Sequence, residues 1–242
     1  MKLIKLDAID STNDFLKEMA KQQPLENFTV VTAQTQTKGR GQMGTTWSSE
    51  PGKNLIMSIF VKNDLADLNQ IYTLNIAVAL AVVQALKTFN IPQLSIKWPN
   101  DIMSDRYKIG GILIENTFKN QDSVRSIIGI GLNVNQINFD ALPKGASLAG
   151  LCNQEFDIDQ ILLEIVSQLK HTLGLLHNQP ESLWHAYRQL LFKKAVPMPF
   201  KAASGVPFMG IIQGVSPAGK LQVVLEDDSV SEFHIKEIQM LY

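Results

Sequence analysis

Two hydrophobic periods alternate along the chain. Short alternating or β-branched runs at 2–6, Thr29–Gln36, 54–62 and 95–98 predict strands. Between the first two, Phe15, Leu16 and Met19 recur at helical spacing behind Ser11 and Thr12, and Asp14 follows Ser11 as in a capping box with Asp in place of Glu. The Ala- and Leu-rich stretch 68–89 predicts a buried helix, and the apolar segments 108–116 and 123–135 predict a paired hairpin. Two helices follow at 158–176 and 180–193, the second opening on Pro180, which suits a first helical turn. After Ala195 the pattern changes. Pro197, Pro199 and Pro207 punctuate short strands, with turns at 217–219 and 227–228. Strands and helices mix without regular βα alternation. The expected architecture is therefore α+β, a mixed and largely antiparallel sheet with helices over residues 1–195, followed by a small β-barrel over 196–242.

Composition narrows the classes. The chain has 242 residues, 45% of them hydrophobic and 19% charged, with a formal net charge of -1, so neither a basic nucleic-acid surface nor an acidic tail is indicated. The single cysteine, Cys152, cannot form an internal disulfide. Residues 1–10 hold no apolar signal-peptide core, and the apolar runs look shorter than the ~20 residues that span a bilayer. A soluble, cytoplasmic protein is expected. His171, His177, His185 and His234 form no compact metal motif.

Gly39-Arg40-Gly41-Gln42-Met43-Gly44 fits several descriptions. As a dinucleotide fingerprint it should open a helix, but Pro51 and Gly52 follow closely. As a P-loop it has Thr45 where the lysine is required. As a kinase loop it stands between two strands, yet HRD and DFG occur nowhere. A plain hairpin connection explains the glycines but not Arg40. Backbone amides and a guanidinium together can wrap an anionic ligand.

Lys97-Trp98-Pro99-Asn100-Asp101 ends an apolar strand; taken alone it is ordinary turn chemistry, and proline should make Asn100 and Asp101 leave the sheet together. Lys108-Ile109-Gly110-Gly111-Ile112-Leu113-Ile114-Glu115 and Gly129-Ile130-Gly131-Leu132-Asn133-Val134-Asn135 each carry two glycines inside an apolar strand. Glycine weakens a strand unless something must come close, so the two strands are expected side by side beneath a flat ligand.

Ser11-Thr12-Asn13, the GRGQMG loop with Trp47, KWPND, KIGGILIE and GIGLNVN stand in the order found in the biotin–protein ligases, and the chain resembles that family closely over residues 7–135 and more loosely in its C-terminal part. The resemblance implies a class II synthetase-like catalytic domain with a C-terminal SH3-like barrel. It implies activation of biotin by ATP with Mg²⁺ to biotinyl-5'-adenylate, and transfer to a lysine of a biotin carboxyl carrier domain, with a homodimer possible. By motif position, Ser11, Thr12 and Gln36 are implied at the biotin ureido ring, with Asn13 among the biotin-binding residues. Gly39 and Arg40 are implied at biotin and the adenylate phosphate, and Lys108 between the carboxylate and the α-phosphate. Gly111 and Gly131 would lie under the biotin bicycle. Gly41, Gln42, Trp47, Asn100 and Asn133 would serve the nucleotide, with Trp47 over adenine. Arg40, Asp101 and Lys108 are the implied catalytic residues, Asp101 also as a Mg²⁺-linked carboxylate. Relatives carry arginine where Gln42 stands and basic residues where Thr45 and Thr46 stand, so weaker adenylate retention is expected. Relatives that repress transcription carry an N-terminal helix-turn-helix, and this chain opens directly on the catalytic motifs, which places it with the ligase-only class and predicts no specific DNA binding. The competing readings are a lipoate ligase or octanoyltransferase, whose arginine-rich, triple-glycine segment before a His-Asp pair is not found here, and a non-catalytic biotin or nucleotide sensor.

Overall fold

Strand parity decides what each residue of the main sheet faces. The computed structural model describes residues 1–63, 70–120, 123–140 and 142–242. Strands β1 (Lys2–Ile9), β2 (Thr29–Gln36), β3 (Leu55–Asn63), β4 (Leu94–Lys97), β5 (Asp101–Ser104), β6 (Tyr107–Asn120) and β7 (Ser123–Leu132) form one sheet. Their order is β1-β2-β3-β7-β6-β5-β4, with β1 and β2 parallel and every other ladder antiparallel. Successive side chains of a strand point to opposite faces. In β3, Leu55, Met57, Ile59 and Val61 enter the main core, while Phe60 joins a smaller cluster with Leu16, Leu25, Val31 and Ile127 on the other face.

Helix α1 (Thr12–Gln22) covers that second face. Ser11 caps it, its hydroxyl accepting from Asp14 N at 3.3 Å, as the sequence anticipates. The main core lies under α2 (Gln70–Thr88), α4 (Ile158–Asn178) and α5 (Pro180–Leu190). By length and composition α2 is apolar enough to cross a membrane, contrary to the expectation that no run reaches that length. Its one charge is Lys87 in the last turn, the polar residues Thr73, Asn75 and Gln84 are uncharged, and 67% of the stretch is buried inside the protein. The stretch expected as helix at 68–89 is helical from Gln70; residues 68 and 69 lie outside the described residues. The expected helix at 180–193 stops at Leu190, and a short α3 (Leu148–Cys152) was not anticipated.

The predicted hairpin of β6 and β7 forms, with Gly111 opposite Gly131. Asp101 does not leave the sheet. The turn at 98–100 reverses the chain so tightly that Asp101 pairs with Lys97 and opens β5. The C-terminal strands β8 (Pro197–Ala202), β9 (Pro207–Val215), β10 (Leu221–Val224), β11 (Val230–Phe233) and β12 (Ile238–Met240) form an antiparallel sheet in the order β11-β10-β9-β8-β12. Its outer strands β11 and β12 do not pair with each other among the described residues, so the expected barrel is not closed by hydrogen bonds. This sheet meets the main body at the turn before β10, where Trp98 Nε1 donates to Gly219 O at 2.9 Å. A side chain on Gly219 would stand 2.4 Å from the Tyr72 ring.

Candidate active site

The α1 face of the sheet carries a cavity of about 290 Å³. Parity builds its floor. Gly111 and Leu113 of β6, Gly129 and Gly131 of β7 and Ile56 of β3 line it, with Ser11, Asn13 and Gln36 at one end and Asn100, Asp101 and Lys108 at the other. The loop Arg40 to Trp47 forms the roof, folded on itself by Gly41 N donating to Thr45 O at 2.7 Å and Trp47 N to Gly39 O at 3.0 Å.

The cationic end rests on Asp101. This carboxylate is 9% exposed and takes Lys108 Nζ on one oxygen at 2.5 Å and Lys97 Nζ on the other at 3.0 Å. The β5–β6 register shifts between Ile102 and Met103, opposite Lys108. A bulge of this kind re-aims a side chain, and here the Lys108 chain runs across Gly111, its Nζ 3.7 Å from where a Cβ would be. Each oxygen of Asp101 is thus engaged by one ammonium group. No cluster of three His, Cys, Asp or Glu side chains suited to a metal occurs among the described residues. The arrangement makes Asp101 the anchor of Lys108. Asp101→Asn should slow any reaction that uses Lys108 by about tenfold, the scale of one charge-assisted hydrogen bond, and leave affinity at the Ser11 end intact. Calorimetry finding that affinity lost, with the reaction rate unchanged, would contradict this assignment.

The polar end is a buried set of hydrogen bonds. Thr12 N donates to Gln36 Oε1 at 2.8 Å, and Ser58 Oγ lies 2.8 Å from Thr12 Oγ1 and 2.6 Å from Asn13 Oδ1. Asn13 Nδ2 donates to Glu115 Oε2 at 2.9 Å. Arg40 Nη2 donates to the same oxygen at 2.9 Å and to Asp14 Oδ1 at 2.7 Å. One terminal nitrogen of Arg40 therefore meets two carboxylates, and its remaining N–H groups point elsewhere. Burial pushes the Glu115 carboxyl up, but hydrogen bonds from Lys17 and Asn13 and the charges of Lys17 and Arg40 outweigh it and hold the group below the ordinary glutamate range.

Trp47 lies on the floor. A Cβ on Gly131 would stand 2.5 Å from its Cε2, and one on Gly111 would stand 3.5 Å from its Cζ3. Its Nε1 is buried and has no hydrogen-bond partner among the described residues. The close approach that the paired glycines foretold is thus made here by the protein's own indole.

Other expected residues are placed less directly. Thr12 and Gly39 stand behind the lining: a side chain on Gly39 would meet Trp47 O at 2.2 Å. Gly41 and Gln42 line the roof. Asn100 lines the cavity, but its amide is occupied, Nδ2 donating to Ile112 O at 2.7 Å. Asn133 is not brought to the cavity; its amide donates to Ala146 O at 3.1 Å and holds the connection after β7. Sequence reasoning missed Ser58, Glu115 and Lys236. Ser58 had a signal, as a lone polar residue inside the apolar run of β3. Lys236 had none; it comes from the C-terminal sheet to line the cavity and donates to Met43 O at 2.9 Å.

A flat floor, a hydrogen-bonding end and a lysine–arginine–lysine rim define a site for a planar ligand with an anionic tail. The Biotin/lipoate A/B protein ligase family profile matches residues 6–133, and the chain belongs to that family. Over 139 residues it is 42% identical to the bifunctional ligase/repressor BirA of Bacillus spizizenii, a match covering 57% of this chain and only 42% of that protein's length. It is 27% identical over 215 residues to the biotin--[acetyl-CoA-carboxylase] ligase of Mycobacterium tuberculosis, covering 87% of this chain and 79% of that one. The fold is similar to that of the biotin protein ligase of Aquifex aeolicus, solved with biotin and ATP, with a TM-score of 0.81 at 25% identity, covering 99% of this chain and 98% of that chain.

Proposed function

We propose that this chain is a biotin–protein ligase. It joins biotin to AMP at the expense of ATP, then passes the biotinyl group to a lysine of a biotin carboxyl carrier domain. The observation that carries the choice of biotin over lipoate is the polar end of the cavity. Ser11, Thr12, Asn13 and Gln36 gather there, with Ser11 and Asn13 only 3% and 4% exposed. A ureido ring has N–H and C=O groups that can exchange hydrogen bonds with such a site; a dithiolane has none.

In the first step a biotin carboxylate oxygen attacks the α-phosphorus of ATP and pyrophosphate leaves. In the second the carrier amine attacks the acyl carbonyl and AMP leaves. Neither step needs an enzyme nucleophile. The protein's part is positioning and charge stabilisation: Lys108, braced by Asp101, stands where carboxylate and phosphate would meet, and Arg40 and Lys236 add positive charge at the roof. Magnesium belongs to this reading as the ion of MgATP, with Asp101 as the carboxylate nearest to where it would act. The reading also takes the protein as cytoplasmic, with residues 1–195 and 196–242 as two domains. Some relatives are named ligase/repressor, and the matches cover from 41% to 69% of their length; the repressor function is said of those proteins alone.

Exchange of labelled pyrophosphate into ATP is the test. Exchange is expected with biotin and not with lipoate; the reverse result, or none with either, overturns the proposal. Because Trp47 rests on the glycine floor, biotin should also displace it or change its surroundings. In a protein whose Trp98 and Trp184 are replaced by phenylalanine, saturating biotin should shift the emission of Trp47. An unchanged spectrum at saturation would place the ligand elsewhere.

A further inference from the structure

The two glycines that β7 presents to the cavity face have different tasks. Gly131 faces the Trp47 indole, whereas Gly129 faces Asn13: a Cβ there would stand 2.5 Å from Asn13 Oδ1. The missing side chain opens a passage from α1 across β7 to β6. Asn13 passes through it to reach Glu115, whose Oε2 takes both Asn13 Nδ2 and Arg40 Nη2 at 2.9 Å, while Lys17 Nζ reaches Oε1 at 2.7 Å. On the other side of Asn13, Ser58 and Thr12 continue the contacts to Gln36. The polar chain is unbroken from Gln36, at the end assigned to biotin, to Arg40, in the loop that roofs the cavity.

Glu115 is the charged junction of this chain and is not among the residues lining the cavity. An isolated surface ion pair would contribute little. Here the carboxylate is 24% exposed and is held from three sides, and the inner members of the chain, Asn13, Ser58 and Thr12, are buried at 4%, 0% and 3% exposure. Buried groups in one hydrogen-bonded network respond together, because each depends on its neighbour for its partner.

We propose that Glu115 is a positioning residue of the ligase reaction, which by holding Asn13 and Arg40 on one carboxylate oxygen aligns the biotin-recognition end of the cavity with the glycine loop. It touches no substrate. Occupancy of the Gln36 end is thereby coupled to the placing of Arg40. This rests on the ligase reading.

The experiment is a double-mutant cycle with biotin-dependent pyrophosphate exchange as the readout. Wild-type protein must first support exchange; failure there sinks the ligase reading and not this coupling. Glu115→Gln keeps the shape and an oxygen for Asn13 but removes the charge that orients Arg40. It should melt close to wild type and lose about tenfold in kcat/KM for biotin, chiefly through KM, the scale of one charge-assisted hydrogen bond. Arg40→Gln should cost much less in the Glu115→Gln background than in wild type, because Glu115 acts through Arg40. An unchanged biotin KM in Glu115→Gln, or losses that simply multiply in the double variant, overturns the inference. Should Glu115→Gln fail to fold, Glu115→Asp, which keeps the charge but withdraws it, takes its place in the same cycle under the same criteria.

Discussion

Replacing Lys108 with alanine should slow biotinyl-adenylate formation by about 10²–10³-fold, the cost of removing one preorganised donor at developing charge. The loss should fall on chemistry and not on folding. Lys108 is 38% exposed at its side chain, and its partner Asp101 keeps Lys97 at 3.0 Å when Lys108 is gone. No carboxylate is left buried without a counter-charge, the outcome that makes most broken ion pairs destabilising. Single-turnover adenylation with a parallel thermal melt separates the two effects. Near-normal adenylation in the variant would remove Lys108 from the mechanism, and a collapsed melt would show that it serves the fold.

Gly131→Ala should weaken biotin binding by about 10- to 100-fold, corresponding to the ~1–3 kcal/mol of an overpacked site. The added methyl would stand 2.5–2.9 Å from three atoms of the Trp47 indole. Either the indole lifts, or a ligand seated in its stead meets the same obstruction. Relief from the opposite strand is closed off, since Gly131 is paired with Gly111 inside a long antiparallel ladder. Calorimetry with biotin decides the matter: wild-type affinity would mean that no ligand rests on Gly131.

Much of this site was legible because it is made of local pattern. The hairpin of β6 and β7, the face on which its glycines fall and the capped start of α1 all follow from periodicity within a few residues. What could not be read came from contacts distant in sequence. Arg40 meets Asp14 and Glu115 at separations of 26 and 75 residues, and Lys236 meets Met43 across 193. Asp101 was misplaced because turn chemistry at Pro99-Asn100 suits an exit from the sheet as well as a tight reversal, and only the pairing with Lys97 distinguishes them. Asn133 and Asn135 look like ligand-binding side chains by type, yet both amides are taken by local backbone, that of Ala146 and that of Phe156. The open C-terminal sheet was likewise invisible, since closure depends on whether β11 and β12 meet, and neither strand's composition records its neighbour.

The register that sets Gly111 against Gly131 has a further meaning for how such a site can change over time. Where β6 and β7 pass the cavity, Gly111, Leu113, Gly129 and Gly131 line its floor, and Ile112, Ile128 and Ile130 between them pack in the main core. Substitutions on the cavity side can therefore reshape the floor for a longer or bulkier ligand while the hydrophobic core goes untouched. Insertion or loss of a single residue would exchange the two sets at once, driving isoleucine into the cavity and glycine into the core. Ligand preference in this architecture is free to drift by replacement and is closed to drift by single-residue length change.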